Sequence, residues 1–174
     1  DAGGLIVDNV QVYQQDRYNT YVPGSGALEI IEAGTVLNGD ATDILTGSTV
    51  TITNAQAGDR LLVNGSTAAS GTVNGIAYTN NGTQVVFSGT ASEDAYKAAL
   101  STVRFENTLA STNLTQRVVS VVSREGTDGA AANSANTAFS YIAFQDTNLP
   151  PQVDLLGDTP AVKAVEWTHD GTGT

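Results

Sequence analysis

The chain has 174 residues, enough for one ordinary domain with overhanging ends or one large sandwich. Charged residues make up 14% and hydrophobic residues 40%, a balance too apolar for a disordered chain. A formal net charge of −11, from 18 acidic and 7 basic residues, argues against nucleic acid as a partner, because phosphates are neutralised by clustered Lys and Arg. With no cysteine, neither a disulfide framework nor a thiolate metal site can form. No run of about 18 apolar residues exists, so direct membrane insertion is not expected.

The first strand signal is Leu5-Ile6-Val7 and Val10-Gln11-Val12-Tyr13, flanking Asp8-Asn9. It ends in Gln15-Asp16-Arg17-Tyr18-Asn19 and then Pro23-Gly24. Much later, Tyr141-Ile142-Ala143-Phe144 ends in Gln145-Asp146-Thr147-Asn148 and then Pro150-Pro151. Proline lacks an N–H for a sheet and pushes the residue before it toward extended geometry, so each place reads as a break between modules. After each comes an apolar stretch holding a glutamate, Glu32 after the first and Glu166 after the second. The offset of about 130 residues between Asp16 and Asp146 is close to a common domain size, and it reads as a weak repeat whose period is one module. On this reading residues 1–17 end a preceding module or mark an insertion junction, 18–149 form the sandwich, and 150–174 are a linker and the first strand of a following module. A single closed sandwich is the alternative.

Between the breaks, 48–53, 61–63 and 84–87 read as strands bounded by turn residues. Asn64-Gly65, Asn74-Gly75 and Asn81-Gly82 are Asn-Gly pairs of the kind that tolerate positive φ, and Asn81-Gly82 is expected to close a hairpin. The β pattern breaks once. Residues 92–103 place Tyr96, Ala99, Leu100 and Val103 at helical spacing, with Ser92 as N-cap and Glu93 and Asp94 at the positive end of the helix dipole. Strands follow at Val103-Arg104-Phe105, 117–122 and 139–144. The last two form a hairpin whose turn, Arg124-Glu125-Gly126-Thr127-Asp128-Gly129, has an acidic tip and is followed by a span rich in Ala, Asn and Ser.

The phrase from Thr90-Ala91-Ser92 through Leu100-Ser101-Thr102-Val103-Arg104-Phe105-Glu106-Asn107, the Asp128-Gly129 tip and the closing Asp146-Thr147-Asn148 together resemble the cadherin-like modules of giant bacterial (RTX-type) adhesins. The resemblance covers about residues 27–154. It implies an all-β, Greek-key antiparallel sandwich of cadherin-like or Ig-like type, with one short helix near 92–103, on the cell surface. It also implies calcium at the joints, ligated by Asp146 and Asn148 of the linker and by Glu32 of an early strand. The familiar linker continues Asn-Asp-Asn before Ala-Pro, whereas this chain reads Asn148-Leu149-Pro150-Pro151 and lacks one oxygen donor, for which Asp154, Asp158 or water would substitute. Asp16 marks the corresponding half-site at the first break, and Asp128 is a further carboxylate at a loop tip. Calcium wants six to eight such oxygens, and here they gather at strand ends.

Catalysis finds no support: the one histidine, His169, has no partner for a triad or a zinc site, and no Gly-rich phosphate loop opens a helix. Two binding roles remain. One is a spacer or junction module with calcium-stiffened linkers, whose partners are adjoining modules or neighbouring subunits that exchange terminal strands. The other is a module holding a glycan or peptide ligand on exposed aromatics, with Tyr13, Tyr18, Tyr21, Tyr78 and Trp167 as candidates.

Overall fold

In the computed structural model, the residues described are 16–32, 44–109, 113–126 and 135–146. They form ten strands and one helix: β1 Arg17–Tyr21, β2 Leu28–Glu29, β3 Ile44–Ile52, β4 Asp59–Val63, β5 Ser70–Val73, β6 Ile76–Asn80, β7 Gln84–Ser92, α1 Glu93–Leu100, β8 Val103–Asn107, β9 Arg117–Glu125 and β10 Ala135–Phe144. Seven strands make one sheet in the order β1-β10-β9-β3-β7-β6-β5, and three make the other, β2-β8-β4. The protein is an all-β sandwich with one short helix, as alternation and turn chemistry predict. Strand β3 lies between β7 and β9, which follow it by several elements, so the order is interlocked in the manner of a Greek key.

Alternation explains which sheet faces meet. Val50 and Ile52 of β3, Val85 and Phe87 of β7, and Val119 and Val121 of β9 all lie inside, against Leu61, Val63, Val103 and Phe105 of the smaller sheet. The helix closes one side of this core. Its predicted apolar stripe, Tyr96, Ala99, Leu100 and the following Val103, is completely buried, each residue at 0% exposure. Ser92 caps it by accepting from the Ala95 N–H, and Lys97 bridges back to the buried Glu93 at 2.9 Å. The acidic pair at the helix start is therefore helix chemistry.

Several features differ from the sequence reading. Residues 17–21, expected to be where a strand gives out, are themselves β1, one residue ahead of the expected module boundary at 18. They pair with β10 in parallel, Arg17 opposite Ser140 through Tyr21 opposite Phe144, within an otherwise antiparallel sheet. Among the described residues β1 has one neighbour, and the buried ring of Tyr21 supplies the reason to dock. Finally, the Asn-Gly pairs divide. Asn64-Gly65 and Asn74-Gly75 both have positive φ at each residue and make the tight turns, the second closing β5 to β6. Asn81-Gly82 does close the β6–β7 hairpin, but by a longer turn in which the Asn81 side-chain oxygen accepts from the N–H groups of Thr83 and Gln84.

The two sheets are also stitched at one side. The Leu61 N–H donates to the Gly82 carbonyl at 2.7 Å, and the Asn80 amide donates to the Leu61 carbonyl at 3.0 Å, which occupies the free edge of β4. Arg124 and Glu125, expected in the turn, continue β9, because Arg124 pairs with Ala135 of a β10 that starts earlier than expected; the strand signal at 5–13 and residues 127–134 lie outside the described residues, as do Tyr13 and Trp167.

Candidate functional site

Because β1 and β10 run the same way, residues 16 and 146, at the start of one and past the end of the other, lie at opposite ends of the sandwich. Asp16, at the entry, accepts the Phe139 N–H through Oδ1 at 3.2 Å. Asp146 lies two residues past the end of β10. At a rise of about 3.3 Å per residue, the seven steps from the level of Phe139 to Asp146 separate the ends by roughly 23 Å. Asp16 and Glu32 therefore belong to one end and Asp146 to the other. Asn148, Asp128 and Asp154 lie outside the described residues.

At the entry end, guanidinium groups hold the glutamates. Arg17 Nη1 lies 3.0 Å from Glu32 and 3.5 Å from Glu29, while Arg104 holds the other oxygen of Glu29 at 3.2 Å. Arg17 is also fixed from within its own strand, donating through Nε to Asn19 Oδ1 at 2.9 Å. This cluster joins β1 of the large sheet to β2 of the small one. A calcium ion at Glu32 would have to displace the Arg17 guanidinium placed beside it. Among the described residues, no group of three or more Asp, Glu, His or Cys is arranged to hold a metal ion.

The exit end is built on a buried ion pair that nothing in the spacing of the sequence announces. Arg117 opens β9 and Asp59 opens β4; their side chains are 0% exposed and meet Nε to Oδ2 at 2.6 Å. Asp59 also accepts the Gln56 N–H on Oδ2 and the Asn107 amide on Oδ1, at 2.7 and 2.8 Å. The Arg117 guanidinium donates to the Thr115 carbonyl, and its carbon sits 4.4 Å over the Phe144 ring. Asn107 continues the network: its carbonyl accepts from the Tyr21 hydroxyl at 3.1 Å, and its N–H donates to the same oxygen at 3.2 Å. Tyr21, Phe105 and Phe144 pack edge to face around it, with centroids 5.2 to 5.9 Å apart. Just beyond, the Gln145 N–H donates to the Tyr21 carbonyl at 2.9 Å, extending the β1–β10 pairing to the last residue before Asp146.

The aromatic candidates sort cleanly. Tyr21 and Tyr78 are core residues at 1% and 8% exposure, which removes them from any ligand platform, whereas Tyr18 is 74% exposed. Tyr18 stacks on Tyr141, with centroids 5.0 Å apart and planes 15° apart, and Tyr141 neighbours Phe139 at 6.3 Å. Phe139 and Tyr141 are surface aromatics that the sequence reading placed only as strand residues. Their alternation with Ala138, Ser140 and Ile142 was the available signal.

No family model, curated protein or solved structure matches this chain. Among the described residues no helix is long and apolar enough to cross a membrane.

Replacing Arg117 with Met strands the Asp59 carboxylate inside the protein and is expected to cost about 3–5 kcal/mol in denaturant unfolding; adding Asp59→Asn should restore part of it, giving a large coupling energy in the cycle. Glu32→Gln, by contrast, removes half of an exposed pair. It should cost no more than about 1 kcal/mol, and equally with calcium or with chelator; a loss confined to calcium buffer would put Glu32 on the ion.

Proposed function

We propose that this chain is a load-bearing spacer, a junction module in a string of extracellular modules of a bacterial surface adhesin or similar assembly. One observation carries the reading: residues 16 and 146 lie at opposite ends of the sandwich, on two adjacent strands that run in parallel. A module so connected extends a string by its own length. The adhesin setting rests on the likeness of the helix-to-strand phrase and the Asp-x-Asn exit to cadherin-like modules.

Tension applied between residues 16 and 146 would pull β1 and β10 in opposite directions along their shared axis. Their hydrogen bonds would then be strained together, in shear, and would have to fail together. Each end carries a brace suited to that load. Arg17 ties the start of β1 to Glu29 and Glu32, and the Tyr21 hydroxyl ties its finish to Asn107. In this reading the chain does no chemistry, and stiffness within the module comes from these contacts. Calcium at the joints would draw on Asp146 together with donors beyond the described residues.

Force spectroscopy on a tandem array tests the idea. Along an edge strand, alternate residues turn their N–H toward the single neighbour, so a proline at Asn19 or at Thr20 must remove a β1–β10 hydrogen bond in one of the two variants. That variant should unfold at clearly lower force than wild type while the other changes less. Equal forces in all three chains would mean that the β1–β10 pair does not carry the load.

A further inference from the structure

The Asn-Gly pairs serve the fold as turns, and the same dipeptide carries a reactivity of its own. Glycine has no side chain to shield its amide nitrogen, which can attack the side-chain carbonyl carbon of the asparagine before it, one reason asparagine is a thermolabile residue. By sequence the three pairs are much alike. Asn64 and Asn74 both follow valine, Asn81 follows Asn80, and all three asparagines are exposed. Their hydrogen bonds separate them.

At Asn81-Gly82 every group that must move is held. The Asn81 side-chain oxygen accepts from the Thr83 and Gln84 N–H groups at 3.0 and 2.8 Å. The attacking nitrogen, that of Gly82, donates to Oδ1 of the buried Asn80 at 2.8 Å, and the Gly82 carbonyl accepts the Leu61 N–H at 2.7 Å. Asn64-Gly65 is held at one point beyond its own turn, the Asn64 N–H donating to the Thr102 carbonyl at 3.2 Å. Asn74-Gly75 lacks even that: among the described residues nothing hydrogen-bonds the Asn74 side chain or the Gly75 N–H, and the space around Gly75 is open. Ring closure must swing the glycine nitrogen toward the side chain, out of a left-handed turn with φ 50° at Asn74 and 80° at Gly75, so it waits on opening of the turn. This turn joins β5 to β6, and among the described residues β6 is the one neighbour of β5, whose Ser70, Gly71 and Thr72 are exposed. An end strand so lightly held is where local opening costs least.

We propose that Asn74 is a site of spontaneous deamidation in the folded protein, with water as the co-reactant. The Gly75 nitrogen bonds to the Asn74 Cγ, the bond from Cγ to Nδ2 breaks, and ammonia leaves with the proton that the Gly75 nitrogen sheds. Water then opens the cyclic imide. Cleavage between the nitrogen and Cγ leaves aspartate, and cleavage between the nitrogen and the α-carbonyl carbon leaves isoaspartate. Either product puts a carboxylate into residues 61–92, a stretch with no charged side chain. Isoaspartate also lengthens the main chain by one carbon within a two-residue turn, so β5 and β6 lose the register that the turn sets. The proposal does not depend on the spacer role.

Peptide mapping by mass spectrometry tests it on the full chain, kept folded for weeks in mildly alkaline buffer, which helps the attacking nitrogen lose its proton. A parallel sample in urea gives the rates of the unfolded chain, where Asn64 and Asn74 share a preceding valine and should react alike. In the folded chain Asn74 should be the fastest of the three sites, outpacing Asn81 by about tenfold or more, and in urea that order should collapse. Both aspartate and isoaspartate are expected at position 74. Equal rates at the three sites of the folded chain, a fastest site other than Asn74, or an Asn74 that stays intact while the urea sample is converted would each overturn the proposal. Aspartate without isoaspartate would do so too, since it would mean direct hydrolysis of the side-chain amide with no attack by Gly75.

Discussion

The Asp59–Arg117 pair is the constraint on which the exit end depends. Two charges fully out of water persist only if each is paired and hydrogen-bonded, because the desolvation cost of either alone is several kcal/mol. Asp59 meets that condition with three donors, from Arg117, Gln56 and Asn107. Those donors come from β9, from the turn before β4, and from β8, so the pair can form only when both sheets are in register. A slip of one residue in β9 would turn Arg117 outward and leave the carboxylate alone. The pair therefore discriminates against misregistered packings more than it adds to net stability, a hypothesis consistent with its place where the two sheets meet.

Around this pair the aromatic contacts acquire their purpose. Phe144 covers the guanidinium, and Tyr21 reaches the Asn107 backbone, so the last residues of β10 and β1 are both held by the same cluster. The parallel β1–β10 pair is thus anchored at its Tyr21–Phe144 end by buried chemistry and at its Arg17 end by the more exposed cluster with Glu29 and Glu32. The difference in burial implies that the entry end opens more readily than the exit end.

Much of the fold was legible because it depends on local pattern. The stripe Tyr96, Ala99, Leu100 and Val103 specified a helix packed on the core, and the strands β3, β7, β8 and β9 followed from alternation between turn residues. Local pattern also misled, and for the same reason. Asp16-Arg17-Tyr18-Asn19 has the composition of a turn, yet it is drawn into a strand by a partner more than a hundred residues away, which no short window contains. Asn81-Gly82 has the dipeptide of a tight turn, but the Asn81 side chain bonds the following N–H groups and builds a longer one. Of the candidate site, the exposed ring of Tyr18 was in view from the start, whereas the Asp59–Arg117 pair was not. Its two members sit at ordinary strand starts, and only the packing of one sheet on the other brings them together.

The most direct measurement is the hydrogen exchange of the Arg117 side chain, followed by NMR on ¹⁵N-labelled protein. A guanidinium buried at 0% exposure, with Nε–H donated to Asp59, should exchange its Nε proton as slowly as the core amides of Val119 and Val121. It should also resonate well apart from half-exposed arginines such as Arg60. Exchange at the rate of Arg60 would mean that Arg117 samples water freely, and would contradict the account of the exit end.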